Sequence, residues 1–304
     1  MQTLLLEALY IMAGLVSLLT AKMAYADQKH PSRIGSTIFW GLLGFVFILG
    51  KYVPPQVVAI ILIIMGVLTA LNKVQAGNQH NASEEFRLAE SKKFKNKLFI
   101  PALSIAVFAF GIAQFTQFSG LVGLGAGALV ATLMALYMTK AEVSFVAYDG
   151  SRLLQQVGSA SILPQLLAAL GSLFAAAGVG EVIAASISGV IPQGNILLGV
   201  IAYCLGMALF TIIMGNAFAA FAVITAGVGM PFVYSQGADP AIAGALALTA
   251  GYCGTLMTPM AANFNIVPAA VLETKSQNRV IISQFAFALV MLLVHIALMY
   301  FLAF

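Results

Sequence analysis

The chain is a succession of apolar runs about twenty residues long, separated by short polar connectors. A helix of about 20 residues crosses the hydrocarbon core of a bilayer. Lipid offers no partner for backbone N–H and C=O groups, so a segment of that length satisfies them internally as a helix. The pattern therefore predicts an all-α polytopic membrane protein. Candidate spans are 3–21, 34–50, 53–71, 98–116, 120–138 and 160–178, then apolar regions 196–233 and 240–272 and a last span 280–303. That makes about eight or nine membrane segments. Only 8% of residues are charged, against about 25% in a soluble domain, which excludes a soluble globular reading.

The first span has no basic n-region or small-residue cleavage site, so it is expected to be retained. The stretch "NKVQAGNQHNASEEFRLAESKKFKNK", 72–97, holds six basic and three acidic residues and reads as a solvated loop or short surface helix. It divides an N-terminal three-helix membrane segment, 1–71, from the remainder, 98–304. Basic loops face the cytoplasm. With both termini outside, thirteen of the fourteen Lys and Arg residues lie inside and Lys51 alone lies outside. The net charge of +4 is then a loop property and gives no reason to expect nucleic acid.

Two regions carry polar, glycine-bearing backbone at membrane depth. In "LFTIIMGNAFAAFAVITAGVGMPF", Leu209–Phe232, two apolar runs meet at Gly215-Asn216 with almost nothing polar between them. This predicts a re-entrant hairpin over 196–233, with two full spans as the alternative. In "GYCGTLMTPMAANFNIVPAAVLE", Gly251–Glu273, Gly254 and Pro259 interrupt the run and Thr255, Thr258, Asn263 and Asn265 add polar groups. Non-helical backbone is tolerated in a membrane only where protein buries it or a watery cavity meets it. A discontinuous helix over 240–272 is predicted, with half-helix N-termini for an anion and unwound carbonyls for a cation. The alternative is a Pro-kinked span whose Thr and Asn residues join helices. The tip Gly215-Asn216-Ala217 and the break Gly254–Asn265 are expected on opposite sides of one pocket.

No Asp, Glu, Lys or Arg is centred in any span, and His295 is the one ionisable group well inside one. That argues against a carboxylate proton relay. No P-loop, GxSxG, HExxH or CxxC is present, so no enzyme is expected. Cys204 and Cys253 both fall in apolar segments and read as packing residues. "SGLVGLGAGALVA", Ser119–Ala131, reads as close helix packing, not nucleotide binding.

The stretches "QQVGSASILPQLLAALGSLFAAAGVGEVI" (Gln155–Ile183), "YCLGMALFTIIMGNAFAAFAVITAGVGMPFV" (Tyr203–Val233) and "GYCGTLMTPMAANFNIVPAAVLE" resemble a bacterial membrane family catalogued under an unknown-function label. "SRIGSTIFWGLLGFVFILGKYVPP" (Ser32–Pro55) fits its early pattern. Members are described as the larger subunit of a two-subunit 5-oxoproline (pyroglutamate) transporter. The family is similar in turn to the ion-transporter superfamily of carboxylate carriers, built from inverted repeats with a re-entrant hairpin and a broken helix meeting at midplane.

The resemblance implies one such repeat over 98–304, with an interfacial arm near 180–193, and a smaller sister membrane subunit supplying the other. It implies import of a small carboxylate across the bacterial cytoplasmic membrane. The substrate would meet Gly215, Asn216, Ala217, Gly254, Thr255, Thr258, Asn263 and Asn265. A coupling sodium ion would sit near Gly215, Asn216 and Thr255. Homo-oligomerisation is compatible with this reading. The rival expectation is a non-transporting scaffold or accessory subunit that stabilises a partner transporter or membrane enzyme.

Overall fold

A computed structural model describes residues 2–79, 81–188 and 194–304, and no strand occurs among them. Eight helical stretches are long and apolar enough to cross a membrane. The chain is thus an all-helical, multi-pass membrane protein. It divides into two compact units, Met1–Gly158 and Ser159–Phe304.

The first unit runs α1 (Gln2–Ala26), α2 (Arg33–Leu49), α3 (Pro55–Ala70), α4 (Glu84–Phe94), α5 (Phe99–Phe115), α6 (Gly120–Thr139) and α7 (Val143–Val157). α5 is apolar on every side and buries none of its residues, as expected of a helix that meets lipid. It pairs with α6 through the small residues of the Ser119–Ala131 stretch. A Cβ on Gly123 would lie 2.7 Å from the Phe108 carbonyl, so only glycine allows that approach.

The polar stretch 72–97 is two different things. Glu84–Phe94 is a surface helix, capped by Ser83 Oγ accepting from Phe86 N. The part before it is packed: Val74 is buried, and backbone groups are pinned by side chains from other segments. Ser32 Oγ donates to Lys73 O, Gln75 N donates to Ser36 Oγ, and Asn78 N donates to Asp27 Oδ2. The Asn78 N–H holds the Asp27 carboxyl below its usual range. α7 closes this cluster. Its inward face carries Ser151, Arg152 and Gln155, all buried, and Gln155 joins His30, Gln79 and Ser151. The segment lies between the expected spans 120–138 and 160–178, where the residue pattern alone predicts no packed helix.

The second unit holds α8 (Leu163–Ala176), α9 (Val179–Ser188), α10 (Ile196–Met214), α11 (Ala217–Ile224), a π-helical segment Thr225–Gly229, α12 (Met230–Phe232), α13 (Pro240–Leu256), α14 (Ala262–Val271) and α15 (Arg279–Leu302). Residues 189–193 of the expected arm lie outside the described residues. The core is built on α10, α13 and α15, around Tyr203, Met207, Ala243, Ala250 and Met299. Small residues let α10 and α13 touch: a Cβ on Gly254 would sit 2.3 Å from the Ala208 carbonyl.

Candidate functional site

Gly215-Asn216 is a helix stop followed at once by a helix start. Gly215 ends α10 with φ +65°, a conformation that costs an L side chain about 1 kcal/mol or more. Asn216 is the N-cap of α11, and its Oδ1 accepts from Phe218 N at 2.9 Å and Ala219 N at 3.3 Å. Two residues therefore reverse the chain without a solvated loop.

The break between α13 and α14 follows from Pro259. In an unbroken helix the Thr255 carbonyl would accept from the N–H of residue 259, which proline lacks. The residue before a proline also resists the helical region, which turns the chain at Thr258. Side-chain amides replace the lost donors. Asn265 Nδ2 donates to Thr255 O at 2.7 Å and to Thr258 O at 2.6 Å. Gln284 Nε2, on α15, donates to Leu256 O at 3.1 Å and Asn265 Oδ1 at 2.6 Å. Thr258 Oγ1 donates to Ile212 O at 2.8 Å, one of the carbonyls that the end of α10 leaves over.

The tip abuts the break. A Cβ on Gly215 would lie 2.5 Å from the Met260 carbonyl oxygen. Beside this contact is a cavity of about 200 Å³ lined by Gly215, Asn216, Ala217, Thr255 and Asn263, together with Met260, Leu167, Pro164 and three aromatic rings. Phe218 meets Tyr252 at 6.1 Å between ring centres, and Tyr252 meets Phe264 at 6.3 Å.

Five of the eight residues expected at a site thus share one cavity wall. Gly254, Thr258 and Asn265 do not. Gly254 serves helix packing, Thr258 ties α10 to the break, and Asn265 is fully buried with its amide committed. The sequence reading missed Gln284, the aromatic rings and the α8 residues Pro164 and Leu167. A lone amide five residues into the last apolar run was the available signal for Gln284. The rings carried none, because Phe and Tyr are ordinary in a span.

The wall is a donor surface. α11 and α14 both begin at it, and a helix N-terminus carries a partial positive charge; the N–H groups of Phe218, Ala219, Ala262, Phe264 and Asn265 already have acceptors, which leaves those of Ala217 and Asn263. Asn216 keeps its Nδ2 protons, and Asn263 its whole amide, without partners among the described residues. Thr255 Oγ1 gives its proton to Tyr252 O at 2.6 Å and retains lone pairs. No Lys, Arg or His lines the cavity among the described residues. Hard cations need converging oxygens, yet Asn216 Oδ1 is already committed and two positive helix ends face the space. Of the side-chain oxygens expected near a sodium ion, Thr255 Oγ1 keeps lone pairs and Asn216 Oδ1 is occupied.

A family model for proteins of unknown function (DUF979) matches residues 7–304. The chain belongs to that family. Neither the curated proteins nor the solved structures yield a match to it. In this DUF979 chain the cavity and both of its helix ends lie within the matched residues.

Proposed function

We propose that this chain is a subunit of a secondary active transporter that imports a small carboxylate, foremost 5-oxoproline, with a smaller sister membrane subunit completing the site. One observation carries the reading: two helix N-termini, the Nδ2 of Asn216 and the amide of Asn263 meet one small cavity that no cationic side chain lines among the described residues. A single carboxylate suits such a wall, because dipole ends and N–H groups stabilise one negative charge. The volume, about 200 Å³, is below the roughly 300–1,000 Å³ of pockets for drug-sized ligands.

5-Oxoproline matches the groups chemically. Its carboxylate would face the N–H ends of α11 and α14, its lactam carbonyl would accept from Asn216 Nδ2, and its lactam N–H would donate to Thr255 Oγ1 or Asn263 Oδ1. In the proposed membrane arrangement 196–233 is a re-entrant hairpin and 240–272 a discontinuous helix, together half of an inverted-repeat transporter. The second half of the site comes from the sister subunit. Transport is ion-coupled, with a sodium ion near Gly215, Asn216 and Thr255.

The test is uptake of labelled 5-oxoproline by proteoliposomes holding this chain, with and without the sister subunit, in sodium and sodium-free buffer. The reading expects accumulation only with both subunits and a gradient. Accumulation by this chain alone would refute the split site. Equal uptake without sodium, but with a proton gradient, would move the coupling to protons.

A further inference from the structure

A second cavity, of about 490 Å³, opens in the first unit between α1, the end of α2 and the start of α3. Its wall is apolar over most of its area, with Leu6, Ile11, Val46 and Val58 on it, and Tyr10 stacks on Phe47 at 6.3 Å. Its charged lining is a single acid and a single base, Glu7 and Lys51, paired with each other. Lys51 also lies 5.8 Å from the ring of Tyr52. The hydroxyls of Tyr10 and Tyr52 have no partner among the described residues, and both side chains are exposed. An apolar crevice whose charged lining is one acid and one base is amphipathic in the same sense as a lipid. Tyrosine is the residue type that sits where hydrocarbon meets water.

We propose that this crevice binds one phospholipid carrying a primary-amine headgroup, with its phosphate on Lys51, its ammonium on Glu7 and an acyl chain along Tyr10 and Phe47. The choice of headgroup follows from charge. An exposed ion pair contributes only about 0–1 kcal/mol, so the Glu7–Lys51 contact opens readily. A zwitterion inserted between the two keeps both charges matched. An anionic headgroup would satisfy Lys51 and bring a second negative charge against Glu7. A choline headgroup has no N–H to donate to the carboxylate.

The experiment is native mass spectrometry of the chain released from nanodiscs containing equal parts of phosphatidylethanolamine, phosphatidylcholine and phosphatidylglycerol. The wild type should retain one phosphatidylethanolamine in preference to the other two. Glu7→Gln and Lys51→Gln should each lower that retention about two- to five-fold. The double swap Glu7→Lys with Lys51→Glu should recover it, since it keeps one charge of each sign and the helix pairing. Three outcomes overturn the proposal: indifferent retention of the three headgroups, preference for phosphatidylglycerol, or unchanged retention in either single variant. A photo-crosslinker at Tyr10 that captured a sister-subunit polypeptide and no lipid would overturn it in favour of a protein interface.

Discussion

Three asparagines lie within fifty residues of one another and do three different things. Asn265 supplies the donor that Pro259 removed at Thr255 O and a second one to Thr258 O, left over by the break. Asn265→Ala would leave the Thr255 and Thr258 carbonyls without this donor and one N–H of Gln284 without its acceptor. Each buried unsatisfied group costs about 1–3 kcal/mol, so loss of about 3 kcal/mol or more is expected. Reduced folded yield and a lower melting temperature in detergent would register it; an unchanged melting curve would show that the network is unnecessary. The Asn263 side chain is exposed and makes no hydrogen bond among the described residues, so Asn263→Ala should melt within about 0.5 kcal/mol of wild type. It should nonetheless weaken substrate affinity about 5- to 150-fold, the effect of one lost buried hydrogen bond. Asn216 has both duties. Asn216→Ser keeps a capping oxygen and removes Nδ2, so stability should hold within about 0.5 kcal/mol while the apparent Km rises. If both the Asn263→Ala and Asn216→Ser variants transported normally, the cavity would not be the substrate site.

At the scale of elements, the tip and the break are fitted to each other through backbone. Gly215 combines φ +65° with a carbonyl 2.5 Å from where a Cβ would sit. Gly215→Ala should therefore cost about 1–2 kcal/mol for the left-handed conformation alone, with the overlap added. Folded yield measures it; a normal yield would mean that the tip moves freely away from the break. Gly254→Ala should also destabilise, by driving α13 off Ala208 on α10, but its substrate affinity should change less than that of Asn263→Ala. The π-helical segment Thr225–Gly229 holds a hydroxyl pair, Thr225 Oγ1 and Tyr203 Oη at 2.7 Å. A wide turn of that kind interrupts the arm that follows Asn216 before it reaches Phe232. Of the two arms, α10 has 19 residues and the run Ala217–Gln236 has 20, each enough to span a bilayer. In contrast α13 has 17 residues, the short limit for a span, and α14 has 10, too few to span alone.

For the whole molecule the checks are topology and assembly. Both native thiols, Cys204 and Cys253, are buried, which gives a quiet background for labelling. A cysteine replacing Glu85 on the surface helix α4 should be shielded from an impermeant thiol reagent in intact cells, while one replacing Ser235 should react. The reverse pattern would invert the orientation inferred from the basic loops. The chain should co-purify with a smaller membrane polypeptide. If it purifies alone and transports alone, the inference that a sister subunit completes the site fails.

The all-helical membrane architecture was legible in the residue pattern. Long apolar runs in lipid leave the backbone one economical solution, so runs such as 98–116 and 120–138 reappear as α5 and α6. The stop-start pair at Gly215-Asn216 and the break around Pro259 were legible for the same local reason. Left-handed glycine, capping asparagine and a missing proline N–H act within one turn of chain. What the tertiary structure alone decided was who faces whom. Asn263 and Asn265 are two residues apart and chemically identical, yet one lines a cavity and the other is buried in a carbonyl-satisfying network with Gln284 from another helix. The packed segment before α4 and the buried face of α7 were hidden likewise, because polar residues look solvated in sequence until distant groups complete their hydrogen bonds. A hydrogen-bond partner 10 to 125 residues away has no trace in local periodicity, and that separates a scaffold residue from a site residue in this chain.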